Sequence, residues 1–205
     1  MALAHKGLDH DTRPTRFTEI GAIAGDACRT LPALQDGEQL VVDSHAIALH
    51  LEQAYPDRPS LFDGPGGVAV TRFVENWCAG TLHPALFPII LLDLFDHVAE
   101  QDRAYFRASR EQRLGRKLEE VAADREQRLD GFRATLQPLR LTLAGSPFIG
   151  GDGPLYADYV VFGALQWARA VSPTRLLADE DPVKAWFERC LDAHDGLGRN
   201  APGYD

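Results

Sequence analysis

Cysteine is scarce: Cys28, Cys78 and Cys190 are the only three, odd in number, widely spaced and without a CxxC pair. No disulfide framework can be built from them, and that usage predicts a reduced, cytoplasmic setting. Positive charge is short as well. The 21 Lys and Arg stand against 30 Asp and Glu, a formal −9, which excludes the basic face a nucleic-acid partner needs. No run of eighteen apolar residues occurs, so no membrane span is expected, and the first residues are too short and too polar for a signal peptide. The chain has no HExxH or Cys/His cluster, and His45 and His50 stand five apart, on different faces of a helix, so no metal site is expected. A GxSxG elbow is missing. The one glycine-rich run, Ile149-Gly150-Gly151-Asp152-Gly153, lacks GxGxxG or GK[ST] spacing and reads as a bend rather than a phosphate loop. Repeats and low-complexity tracts are absent.

What is present is apolar residue in plenty, 45% of 205, enough to bury the core of one large or two small domains. The organising stretch is Leu31 to Tyr55. Gln35-Asp36-Gly37 is a hairpin turn between two short strands, the second ending at Val41-Val42. A helix opens at Asp43-Ser44, and Ile47, Leu51 and Ala54 predict its buried face. Leu31-Pro32 is a position where a tight turn can hold a cis bond. No carboxylate stands three residues after Asp43 or Ser44, which leaves the helix start open to an anion from outside.

Elsewhere, Met1 to Lys6 reads as the end of a helix stopped by Gly7. His10 to Thr12 is a polar edge-strand candidate ended by Pro14, and Phe17 to Ala27 reads as loop with a short helix. Tyr55 to Gly67 breaks the pattern as a linker, with Leu61-Phe62 as its anchor to the second domain. Helices are expected beyond it. Val70, Phe73, Val74 and Trp77 predict one buried face, and Leu86 to Phe95 is apolar but too short to span a bilayer. Residues 100 to 133 read as one long solvated helical region with a stripe of Leu114, Leu118 and Val121. A helix restarts near Thr135, with Pro138 in its first turn. Ala157 to Ala170 is apolar all round, as a central helix would be. Asp181-Pro182 caps a last helix that buries Val183, Trp186, Phe187, Cys190 and Leu191 and ends at Gly196. Trp77, Tyr105, Tyr159 and Trp167 are either pocket or core, and Cys28, close to Pro32, is the one thiol to test for access to a cleft.

The pattern from Leu31 to Leu51, L-P-x-L-x-D-G-E-x-x-V-x-D-S-x-A-I-x-x-x-L, resembles the glutathione-binding segment of the glutathione S-transferases. The resemblance implies that the backbone at Leu31-Pro32 pairs with the cysteinyl part of glutathione, and that Asp43 and Ser44 hold its γ-glutamyl end. It implies a thioredoxin-like α/β domain over residues 1–60, a linker over 61–67 and an all-helical domain over 68–205. In that family a first strand and loop carry the catalytic Tyr, Ser or Cys. Here Met1 falls in mid-helix, so the N-terminal domain is expected to be shortened and no catalytic residue is named. The family also implies a homodimer, and a Ser/Thr-x-x-Asp capping box at the central helix. Asp158 keeps the acid of that box, but Leu155 stands where the hydroxyl belongs, a loss of up to ~1 kcal/mol.

A broader match covers YPDRPSLFDGP, SREQRLGRKLEEVAADREQRL with TLQPLR, GGDGPLYADY and DAHDGLGR. These segments look like the bacterial β-etherase type and its fungal relatives. They imply glutathione thiolate attack on electrophilic aromatic substrates, with β-aryl ethers as one option. The alternative is a binding or assembly protein of the same family without turnover.

Overall fold

The computed structural model describes residues 1–24 and 28–204. Strands β1 (Ala33–Asp36) and β2 (Gln39–Val42) pair antiparallel, with Ala33 opposite Val42 and Asp36 opposite Gln39. Gly37 turns between them at φ 58, a conformation that costs glycine little. Helix α1 (Ala2–His5) ends, as Gly7 predicts, on a residue at φ 62. The strand expected at His10 to Thr12 does not form. That stretch is polar and exposed, and among the described residues the β1–β2 hairpin is the only sheet, so it has no ladder to join. A 3₁₀ turn (Phe17–Glu19) and α2 (Gly21–Ala24) come next; Asp102 holds this turn by accepting from Phe17 N and Thr18 Oγ1. The rest of that expectation, Gly25 to Ala27, lies outside the described residues.

Helix α3 (Ser44–Ala54) buries Ala48 and Leu51. Ala54, expected on the same face, is exposed, while Ala48 and Leu51 pack against the linker. There Leu61 and Phe62 are fully buried beside Ala48, Leu51, Tyr156 and Tyr159, and Tyr156 N donates to Leu61 O at 2.8 Å. The anchor forms as the Leu-Phe pair predicts.

Helix α4 (Pro65–Trp77), a π-turn (Cys78–Leu82) and α5 (His83–His97) run on without a break. The 33 residues from Pro65 to His97 are long and apolar enough to cross a membrane by length and composition, contrary to the shorter run expected. The π-turn carries the helix past Gly80 and Pro84. In this fold Leu82, Leu86, Ile89 and Ile90 have no exposure and pack in the bundle core with Phe132, Val161 and Trp186. The α4 face is also rotated from expectation. Thr71 is buried, whereas Val70 and Phe73 are 59% and 73% exposed.

The region from 100 to 133 is three helices, not one: α6 (Glu100–Leu114), α7 (Leu118–Ala122) and α8 (Arg128–Thr135). Gly115 ends the first in a left-handed cap at φ 66. The stripe survives across the break, since Leu118 and Val121 pack with Leu91, Val98 and Phe106 and are flanked by Leu114. Helix α9 (Gln137–Leu143) begins just past the expected restart and has Pro138 in its first turn. Central α10 (Tyr156–Val171) buries ten residues, as an all-round apolar helix should. Asp181 caps α11 (Pro182–Asn200), accepting from Val183 N. The helix that starts at Pro182 breaks at Ala193, and Gly196 closes that break in a left-handed bend with His194 and Asp195 before a second helical run to Asn200.

Candidate functional site

The hairpin register sets Leu31-Pro32 beside Asp43-Ser44. Asp43 N donates to Pro32 O at 3.2 Å, and the Leu31–Pro32 bond is cis. Leu31 is 43% exposed, and among the described residues neither its N–H nor its C=O has a hydrogen-bond partner. Asp43 sits at φ 85, which costs a non-glycine residue ~1–3 kcal/mol. Its side chain offsets that cost: Oδ1 accepts from His45 N at 2.9 Å and Ala46 N at 3.1 Å. The helix start is therefore less open than expected, because its own acid fills two of the free N–H positions. Asp43 Oδ2, the Ser44 hydroxyl and the Ser44 N–H remain, on exposed residues. A carboxylate acceptor beside a hydroxyl and an N–H donor suits an α-amino acid zwitterion, ammonium to the first and carboxylate to the others.

The bundle grips this helix start. Tyr156 OH donates to Ser44 O at 2.7 Å, its ring stands edge-on to Phe62, and burial pushes its hydroxyl pKa up to about 12. His45 is only 18% exposed at its side chain, and Nδ1 lies 2.9 Å from Glu75 Oε2; Arg72 holds the same carboxylate. Nothing in the local pattern could have shown Tyr156 or Glu75, which stand 112 and 30 residues from their partners. On the other side, His50 and Tyr55 donate to Asp36 at 2.7 and 2.9 Å, tying α3 to the hairpin. Their hydrogen bonds hold the Asp36 carboxyl below its ordinary range.

The thiols offer no nucleophile. Cys28 has no exposure, against the access its place near Pro32 suggested. Cys78 and Cys190 are buried too, and desolvation raises both, Cys78 to about 12. The four aromatic candidates do not converge. Tyr105 is half exposed, Tyr159 is buried beside the linker anchor, and Trp77 and Trp167 pack against the bundle core. Trp167 stacks on Phe87 at 6.1 Å.

A second polar cluster went unseen in the sequence. Tyr159 OH lies 2.7 Å from both His5 Nδ1 and His194 Nε2, at one side of a cavity of about 620 Å³. Ser60 O accepts from His5 Nε2 at 2.9 Å, so neutral His5 presents Nδ1 as acceptor to the tyrosine, whose oxygen accepts from His194. The network accommodates one extra proton. With two, the hydroxyl hydrogen is left only the long contact to Pro154 O at 3.5 Å, and two cationic rings face each other at 5.8 Å. Burial lowers the pKa of both histidines; the Met1 ammonium and His5 add to this at His194, and Asp195 opposes it. At His5 the Ser60 bond and Glu52 oppose burial and Lys6 assists it. Below about pH 6.5 the unfolded chain therefore binds more protons than the folded one, and stability falls as pH drops through that value. Desolvation lowers the pKa of His83 as well, and it adds to the same slope. The melting temperature is expected to fall between about pH 7.5 and 5.5, less steeply in H194Q; a flat profile would refute the network's role.

Comparison with known proteins agrees with this geometry. Residues 1–59 match the model of the glutathione S-transferase N-terminal domain, and residues 69–192 match that of the C-terminal domain. The glutathione S-transferase-like protein ustS of Aspergillus flavus is 27% identical over 142 residues, 62% of this chain and 50% of its own, so the chain spans half the length of that relative. The glutathione transferase GSTFuA2 of Phanerochaete chrysosporium superposes with a TM-score of 0.75 at 27% identity, covering 95% of this chain and 82% of its own. A glutathione S-transferase of Ceriporiopsis subvermispora, solved in complex with glutathione, gives 0.80 at 24% identity over 92% of this chain and 87% of its own, a likeness of fold. Two domain models covering both ends of the hairpin-and-bundle arrangement leave one conclusion: this chain belongs to the glutathione S-transferase family.

Proposed function

We propose that the chain binds glutathione and directs its thiol at electrophilic aromatic substrates. The observation that carries this reading is the meeting of a Leu31 backbone without a partner among the described residues, beside cis Pro32, with the acid-serine start of α3. Leu31 and Pro32 take the cysteinyl backbone as a strand would, and Asp43 and Ser44 take the γ-glutamyl ammonium and carboxylate. Residues 1–60 form the glutathione domain, 61–67 the linker and 68–205 the helical domain, in a cytoplasmic protein. β-Aryl ethers are the substrate class favoured by the segments that look like β-etherases. The thiolate sulfur would bond to the ether-bearing carbon while the C–O bond breaks, and the aryl oxide would leave and take up the thiol's proton.

Retention on immobilised glutathione, with release by free glutathione, tests the binding. S44A is expected to weaken it at least tenfold, the worth of a hydrogen bond to a charged group. A wild-type chain that is not retained would sink the proposal. A second reading, binding without turnover, is favoured by one observation: all three thiols are buried, and the Tyr156 and Tyr159 hydroxyls are engaged and raised in pKa. An assay of thiol loss with an aryl halide separates the two, since retained protein without conjugation supports the second. The family reading also makes the protein a homodimer, and sedimentation is expected to give twice the chain mass of 22.6 kDa.

A further inference from the structure

The proposed γ-glutamyl contacts all lie on one turn at the start of α3, yet two of that turn's firmest attachments come from the helical bundle. Tyr156, the first residue of α10, places its hydroxyl 2.7 Å from Ser44 O. Glu75, on α4, holds His45 Nδ1 at 2.9 Å and is only 12% exposed at its side chain. Tyr156 is itself fixed at both ends of its side chain and at its backbone, by Phe62 at its ring and by Leu61 O at its N–H. Neither side chain is needed to form the helix. Asp43 already caps it, and Ser44 O, as a first-turn carbonyl, would accept from the helix backbone without help.

We infer that Tyr156 and Glu75 are positioning residues for glutathione: they clamp the Ser44-His45 turn to the bundle, so the acid-serine pair is already in place when the tripeptide arrives. This rests on the glutathione reading above. The physical reason is preorganisation. A turn that is free to shift must be ordered at the moment of binding, and that cost is subtracted from affinity. The arrangement also couples two regions of the fold, because a contact made by Ser44 is felt on α10 and α4, and a disturbance of either helix is felt at Ser44.

Calorimetric titration of glutathione into the wild-type chain, Y156F, E75Q, S44A and the Y156F/S44A double variant tests this. Y156F keeps the ring on Phe62 and loses only the hydroxyl. Its glutathione Kd is expected to rise roughly fivefold, the worth of one ordinary hydrogen bond, with little change in melting temperature. E75Q, which keeps the shape of Glu75 and removes its charge, is expected to rise about threefold and stands in should Y156F prove unstable. If Tyr156 acts through Ser44, the second substitution adds less than about twofold once Ser44 is alanine. A merely structural tyrosine would leave Kd alone, or its effect would multiply with that of S44A, and either result overturns the inference. Wild-type protein that takes up no glutathione overturns the function itself, a distinct result.

Discussion

D158A is expected to lower the stability of the chain by ~4 kcal/mol or more, a large share of the ~5–15 kcal/mol a folded domain has. Asp158 has no exposure and takes four hydrogen bonds. Oδ1 accepts from Ile149 N and Trp186 Nε1, both at 2.8 Å, and Oδ2 accepts from Gly150 N at 2.9 Å and Leu155 N at 3.0 Å. One carboxylate thus joins the glycine bend, the start of α10 and the core face of α11. Alanine strands four donors, the Trp186 Nε1 fully buried and the other three part-buried, at ~1–3 kcal/mol for a buried one, and opens a small void. D158N fares little better, because its amide nitrogen meets two N–H groups with a donor. At ~2–4 °C per kcal/mol for a chain of this size, the melting temperature is expected to fall by ~8–16 °C. A fall under about 3 °C would show that water replaces the carboxylate at no great cost.

The same residue marks what could be read in advance. Asp158 as the acid of a capping box is a four-residue pattern, and Leu155 opposite it correctly signals that the hydroxyl half is missing. The Ile149, Gly150 and Trp186 donors restore more than that half, and they arrive from loop and helix at separations that leave no periodic trace. Local chemistry carried the hairpin, the Asp43-Ser44 start, the Leu61-Phe62 anchor, the apolar α10 and the Asp181-Pro182 cap, since each depends on neighbours in sequence. Periodicity failed where tertiary context chose the face. On α4 the small hydroxyl of Thr71 goes inward and Phe73 outward. Along residues 100 to 133, Gly115 ended α6 despite the helix-forming charge around it, and a further turn at residues 123–127 separated α7 from α8. At the site, the Leu31-Pro32 turn and the Asp43-Ser44 helix start were legible in pattern, but Tyr156 and Glu75, which hold Ser44 and His45, were not.

The second large effect is an asymmetry within one buried ion pair. Lys6 has no exposure; its Nζ lies 2.8 Å from Glu52 Oε2 and 3.3 Å from Tyr55 O. Glu52 has more partners, accepting from Ser60 Oγ at 2.5 Å and Leu61 N at 2.9 Å, and its side chain is 28% exposed. Burial opposes its ionisation, but the bonds from Leu61, Lys6 and Ser60 together outweigh it and hold its pKa below the ordinary value. E52A therefore leaves a buried ammonium with a single carbonyl and frees two linker donors, a loss of ~3–5 kcal/mol. K6M removes the cation and keeps an unbranched apolar stem in its place. The carboxylate it leaves behind still has its two linker donors and access to water, so the loss is expected to be ~1–2 kcal/mol. Urea denaturation of the two variants reads the difference directly through their midpoints. Equal losses would mean that the linker bonds of Glu52 contribute little. A greater loss in K6M would mean that the lysine stem, not the carboxylate, holds α1 against α3 and the linker.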